Sequence, residues 1–308
     1  MAFPISVIQL EIDAERPDDN RAAALSLCVQ AIESGARLVL LPEAAVSDLY
    51  RGAEKCAQPI PGPLTESFQR IAGSALIALP LLERCADKVH SSCALIDSSG
   101  VVGVARRTHI FRDPLGIDLL NESDIFRPGV ELSVLEARGL RIGFALGFDA
   151  RFPEVFRTLA LKGADIALCA LNCVEPERKF LSAMAACNRL PIAVANRVGF
   201  KIVYPAQPEF SATRQALLQD KHKNFLLRCI GGSAIIGPDG NLEAQPRAAE
   251  SVGHSSDNQA LPERAKIPAA YFQAEQILTA SFRFEDLRLE RRTHPLLAAR
   301  RPELYRNS

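Results

Sequence analysis

Ile142-Gly143-Phe144-Ala145-Leu146-Gly147-Phe148-Asp149-Ala150-Arg151-Phe152-Pro153-Glu154 reads as a buried strand, a sharp turn and the opening of a helix. The strand extends over 140–146, a mostly apolar run. At its end Gly147 lets the backbone take a positive φ or approach a neighbour closely, as a residue with a Cβ does not. Pro153 suits the first helical position, where its missing N–H needs no partner, and Gly163 closes that helix.

The same alternation of strand and helix extends in both directions. Ile5 to Ile12 alternates apolar and polar residues. A helix is predicted from Asp19 to Ser34, with Ala22, Leu25, Cys28, Val29 and Ile32 on one face and Gly35 as its stop. Leu38 to Leu41 is a short apolar strand ending at Pro42-Glu43. A helix over 64–71 leads to a strand over 75–82. Ser91 to Asp97 and Val101 to Arg106 flank Ser98-Ser99-Gly100, a hairpin signal. Strands are predicted over 164–171, 192–195 and 233–237. Hairpins and crossover helices together exclude a purely parallel sheet. Two stretches read as surface elaborations: 201–228, with a short amphipathic helix around Thr213 to Leu218, and the polar segment 245–268.

Composition narrows the functional classes. The 308 residues are 48% hydrophobic, enough for a sizeable core, and their 36 basic and 36 acidic side chains cancel. No global field favours nucleic acid or an anionic membrane. No stretch has the length of a membrane-spanning helix, and the first residues show no basic-then-apolar leader. A cytoplasmic protein is expected. The eight cysteines form no CxxC pair and no His cluster accompanies them, so neither metal nor cofactor is expected. Cys28, Cys93, Cys169 and Cys229 lie in apolar patterns, where a thiol behaves as a small hydrophobe.

Several blocks in order along the chain resemble the nitrilase (carbon–nitrogen hydrolase) superfamily. Besides the opening stretch they are Leu41-Pro42-Glu43, Gly103 to Phe111, Asn121 to Gly129, Ala195 to Gly199, Gly232 to Gly240 and Arg301-Pro302-Glu303-Leu304-Tyr305. The resemblance implies an α/β fold: a four-layer α-β-β-α sandwich of two mixed β-sheets, in one domain spanning 1–308. It also implies a homodimer or larger assembly, with the Arg301-to-Tyr305 tail at a subunit contact.

The resemblance further implies a site. A family cysteine attacks a nitrile, amide or carbamoyl carbon, a glutamate handles the proton, and a lysine with a backbone N–H stabilises the oxyanion. In this sequence Glu43 matches the general base, Glu122 the second glutamate and Phe148 the N–H donor. The cysteine position is Gly147, which can attack nothing. The lysine position is Arg107, a planar fork in place of a point charge. Loss of a side chain at 147 is expected to open room that the bulk of Arg107 offsets, with the guanidinium paired to Glu43, Glu122 or both. His109 is expected to orient a loop. Asp149, Arg151 and Glu154 are expected around the turn, with Phe148, Asp149, Arg151 and Cys173 as candidate ligand contacts.

Three functions follow as expectations. The first is a pseudoenzyme that binds a small amide, carbamoyl or carboxylate compound or presents its surface to a partner enzyme. The second is an active C–N hydrolase with a surrogate nucleophile, Cys173 before Cys187, or an activated water. The third is a structural subunit of a hetero-oligomer.

Overall fold

Strand polarity and apolar alternation sort the chain into two sheets that share one interior. The computed structural model describes residues 2–47, 49, 53–111, 122–173, 176–203, 225–246 and 274–305. In chain order the first half comprises β1 (Phe3–Glu11), α1 (Pro17–Glu33), β2 (Leu38–Leu40), α2 (Ala53–Cys56), α3 (Pro63–Ala72), β3 (Leu76–Cys85), β4 (Lys88–Asp97) and β5 (Gly100–Arg106). The second comprises β6 (Val134–Ala137), β7 (Leu140–Leu146), α4 (Pro153–Leu161), β8 (Ile166–Ala170), α5 (Arg178–Asn188), β9 (Ile192–Ala195) and β10 (Arg197–Val203). After it come β11 (Phe225–Ile230), β12 (Ala234–Ile236), β13 (Leu242–Ala244), β14 (Gln276–Phe282) and α6 (Phe284–Thr293).

One sheet has the order β11-β10-β1-β2-β3-β4-β5, with β14 also pairing β1; the other has the order β13-β12-β9-β8-β7-β6. Both mix parallel and antiparallel neighbours. The central strands β2, β8 and β9 are buried on both faces, which is why they read as near-continuous apolar runs. Ile5, Val7, Leu38 and Leu40 face inward against Phe144, Leu146, Leu168 and Ile235 of the second sheet. Their alternates Ile8, Leu10 and Val39 pack outward against α1 and α3. Val155, Phe156, Leu159 and Leu181 of α4 and α5 cover the other sheet. The result is an α-β-β-α sandwich.

Several expectations need correcting. α1 starts at Pro17, since proline is tolerated at the first helical position. Its buried stripe is Asn20, Ala24, Cys28 and Ala31; small side chains bring the helix close to the sheet, while Leu25 and Ile32 only flank the core. The ends of the 201–228 stretch carry strand, which the sequence reading did not assign: β10 and β11 pair antiparallel from Val198↔Ile230 to Val203↔Phe225 at the edge of the sheet. The Thr213 to Leu218 helix lies outside the described residues, as does all of 245–268 beyond residue 246. β6, β14 and α6 were not anticipated. β14 runs along β1 from Phe3↔Phe282 to Gln9↔Gln276. The four cysteines in apolar patterns are the four buried ones.

Among the described residues no helix is long and apolar enough to cross a membrane.

Candidate active site

The site gathers where β2, β7 and β8 end, at the carboxyl ends of parallel strands, a place where backbone polar groups and loops converge. Glu43 follows β2 and is fixed from the opposite sheet: its N–H donates to the Leu171 carbonyl (3.1 Å) and its carbonyl accepts from Asn172 Nδ2 (3.2 Å). Its carboxylate accepts from Ser91 Oγ at 2.6 Å. Arg107 follows β5, its N–H bonded to the Ser91 carbonyl and its own carbonyl accepting from Gly129 N–H at 2.7 Å. A Cβ on Gly129 would come within 2.8 Å of Arg106 Cβ and its carbonyl oxygen, so glycine is what lets this loop close over Arg107.

Consecutive residues of an extended chain point to opposite sides, and Arg106 and Arg107 show it. Arg106 turns to Glu83 with a two-pronged bond (Nε 2.7 Å, Nη2 2.5 Å). Arg107 turns inward and is 1% exposed. Its Nη1 lies 3.1 Å from Glu43 Oε1 and its Nη2 3.0 Å from Glu122 Oε2. The guanidinium carbon sits 5.2 Å from the centre of the Phe126 ring, adding a cation–π contact. Glu122, in a single 3-10 turn over Glu122–Asp124, also accepts from Phe111 N–H at 2.9 Å.

Gly147 begins a 3-10 turn that ends at Arg151, and its φ is +51°. No open room is left beside it, in keeping with the expectation that the bulk of Arg107 offsets the missing side chain. A Cβ there would lie 2.5 and 2.6 Å from the two Glu43 oxygens and 2.8 Å from Arg107 Nη1. The carboxylate and the guanidinium occupy the place a nucleophilic side chain would start from.

A cavity of about 520 Å³ opens beside this cluster, lined by Glu43, Arg107, Glu122, Gly147, Phe148, Arg151 and Cys173 among others. Leu49, Phe111, Leu171, Pro176 and Leu181 give it apolar walls. Phe148 packs edge-on to Phe111 and Phe152. Arg151 pairs with Glu177 at the rim. Cys173 is partly buried, its peptide clasped by Asn196, whose Oδ1 accepts from the Cys173 N–H and whose Nδ2 donates to its carbonyl. Cys187 is exposed on α5 and is not in the lining. Burial pushes the Cys169 thiol up, with Cys173, Asp149 and Glu43 adding to the effect, so it is held as a neutral thiol.

Asp149 is a correction. It is 1% exposed and outside the lining. Its oxygens are taken by Thr108 N–H and Oγ1, His109 N–H and Leu146 N–H, with His109 Nδ1 at 2.8 Å. It buckles the segment after Arg107 to the turn after Gly147 and is a support, not a ligand contact. His109 stacks on Phe152 at 4.0 Å, in the orienting role expected of it.

Ser91, Phe126, Asn172 and Glu177 were missed. Asn172 and Phe126 stand near Cys173 and Glu122 in the sequence but carry no chemistry that marks them, while Ser91 and Glu177 reach the site through long-range packing. Among the described residues no group of three or more His, Cys, Asp or Glu is placed to hold a metal ion.

An α-β-β-α sandwich with two glutamates and a cation clustered at its strand ends defines the class. The carbon–nitrogen hydrolase model matches residues 5–253, and the chain belongs to that family, within the nitrilase superfamily. An N-carbamoylputrescine amidase from Solanum lycopersicum is 25% identical, over 93% of this chain and 88% of that protein. A citrullinase from Francisella tularensis is 28% identical, over 98% and 96%. A carbon–nitrogen hydrolase structure from Helicobacter pylori G27 superposes with a TM-score of 0.74 at 19% identity, covering 99% of this chain and 97% of that one. An amidase from Nesterenkonia AN1 gives 0.69 at 21%, covering 99% and 96%. At such identities the structures attest the shared fold.

Proposed function

We propose that this chain is a nitrilase-superfamily pseudoenzyme, which keeps a pocket for a small amide, carbamoyl or carboxylate ligand, or serves a partner enzyme as a subunit, without cleaving a C–N bond. One observation carries the reading: position 147 has no side chain, and the space a Cβ would need is filled by Glu43 and Arg107. Without a nucleophile the covalent step is lost, a change that costs about 10⁶ in rate in a well-studied hydrolase. The cavity remains beside the cluster. Its floor presents two carboxylates to one guanidinium, which favours ligand N–H donors, an amide or carbamoyl group, over a carboxylate. The protein acts in the cytoplasm as a homodimer or larger assembly.

A second reading, an active hydrolase using Cys173, has its own observation: that thiol lines the same cavity and is only partly buried.

Native mass spectrometry of freshly purified protein tests the ligand. A bound small amide or ureido compound, recovered intact, supports the pocket reading. Protein that is empty but tightly bound to a second polypeptide would replace it with the subunit reading.

A further inference from the structure

On the outer face of the same sheet, behind the cluster, lies a buried histidine that the site does not use. His90 on β4 is 8% exposed. It pairs across the strands with Glu83 of β3, and Ser92 of β4 pairs with Arg106 of β5; strand alternation puts all four on one face. Ser91 between them faces the other way and donates to Glu43. The His90 ring is hydrogen-bonded to the backbone of Arg127, while its Nδ1 is buried and has no partner among the described residues. Nε2–H therefore makes the bond, to the Arg127 carbonyl. Arg127 belongs to the stretch that starts at Glu122 and ends at Gly129. Its N–H donates to the Val89 carbonyl (2.9 Å), and Gly129 N–H donates to the Arg107 carbonyl (2.7 Å). Glu122 and Phe126 of the same stretch grip the Arg107 guanidinium.

We propose that His90 is a pH-sensitive latch on residues 122–129: the neutral ring fastens Arg127 to β4, and the protonated ring lets go, loosening the hold of Glu122 on Arg107. A neutral imidazole has one N–H, which the Arg127 carbonyl accepts, and one bare nitrogen. Protonation puts a second N–H on Nδ1, where nothing among the described residues accepts it, and a buried unpaired donor is costly. The neighbours do not make up the loss. Glu83 favours the cation, but its oxygens already accept from Ser92 and Arg106; Arg106 and Lys88 oppose it. Turning the ring towards water satisfies Nδ1 and takes Nε2–H away from Arg127. Burial, then the Arg106 charge, accordingly hold the His90 pKa below its ordinary 6.5, against the pull of the Arg127 carbonyl and Glu83. A depressed value means that the latch's contribution is fully present above 6.5 and is lost as pH falls through the folded value. The latch acts on Arg107 whether or not the cavity takes a ligand.

Hydrogen exchange on the full chain, corrected for the intrinsic pH dependence of amide exchange, tests this between about pH 8 and about pH 5. Protection of the amides in 122–129 should fall about fivefold or more on acidification, the lower end of typical coupling between linked equilibria, while β1 and β8 keep theirs. The imidazole signal of His90, followed by NMR in the wild-type protein, should titrate with the midpoint of that loss. His90→Gln keeps a donor for Arg127 and does not titrate, so its stretch should stay protected across the range. Unchanged wild-type protection, or a loss whose midpoint differs from that of the ring, would overturn the latch. So would a His90→Gln protein that loosens with the wild-type midpoint, since another group, such as His109 beside Asp149, would then be the trigger. If His90→Gln folds poorly, the wild-type comparison of midpoints decides alone.

Discussion

Gly147 and Arg107, the two positions expected from the sequence to differ from the nitrilase pattern, meet at one point of the structure. Arg107 reaches the space a side chain at 147 would need and is held there by Glu43, Glu122 and the Phe126 ring. Arg107→Ala should therefore destabilise the fold by about 3–5 kcal/mol, because it leaves two buried carboxylates without their cation. Urea denaturation at pH 7 measures this, and a loss under about 1 kcal/mol would mean that the triad is solvated like a surface pair. Restoring a thiol is a matched test. Gly147→Cys alone places a Cβ against three polar atoms at a φ of +51°, a conformation that costs an L-residue about 1–2 kcal/mol. With Arg107→Lys added, one of those atoms is withdrawn, and iodoacetamide should label the new cysteine faster than in the single mutant. Equal labelling in both would refute the coupling. A folded double mutant whose cysteine stays inert would mean that the site has closed, and would favour the interaction subunit over ligand binding. Glu43 and Arg107 were legible because each sits at the end of a readable strand. Ser91 and Phe126 were not, since their role depends on where β4 and the loop after Glu122 come to lie.

At the scale of elements, β3, β4 and β5 are stitched by one acid. Glu83 on β3 accepts from Ser92 Oγ on β4 at 2.6 Å and from Arg106 on β5. Burial raises its pKa, but the Arg106 and Ser92 bonds outweigh burial and bring it below its ordinary value of 4.5. A depressed folded value means that the acid's contribution is fully present above 4.5 and is lost as pH falls through the folded value. Glu83→Gln should thus be less stable than wild type at neutral pH and lose less on acidification. Melting curves from pH 7 to about pH 3 check it; parallel losses in the two proteins would contradict it. This three-strand unit was partly legible. Ser98-Ser99-Gly100 marked the second hairpin, but the first turns at Ala86, whose φ of +55° has no glycine to announce it. β6 is only four residues long and carries a Glu, too little alternation to read alone. α1 was read to within two residues of its ends and Cys28 on its buried face, but the rest of that face was not, because Asn20, Ala24 and Ala31, not leucine, meet the sheet.

For the whole molecule, the two sheets enclose one apolar interior, and the site lies where their strand ends meet, with Glu43 hydrogen-bonded across to the carbonyl of Leu171. Exposed Leu289, Leu304 and Tyr305, at 64%, 62% and 58%, leave apolar surface on α6 and the tail. Light scattering should give at least twice the 33.5 kDa chain mass at micromolar concentration; a monomer mass would refute the assembly. The central claim is chemical, and turnover tests it most directly. Purified protein should release no ammonia or amine above background from a panel of simple amides, N-carbamoyl amino acids and nitriles, and Cys173→Ser should leave that result unchanged. Turnover that disappears in Cys173→Ser would contradict the account and make Cys173 the nucleophile of an active hydrolase.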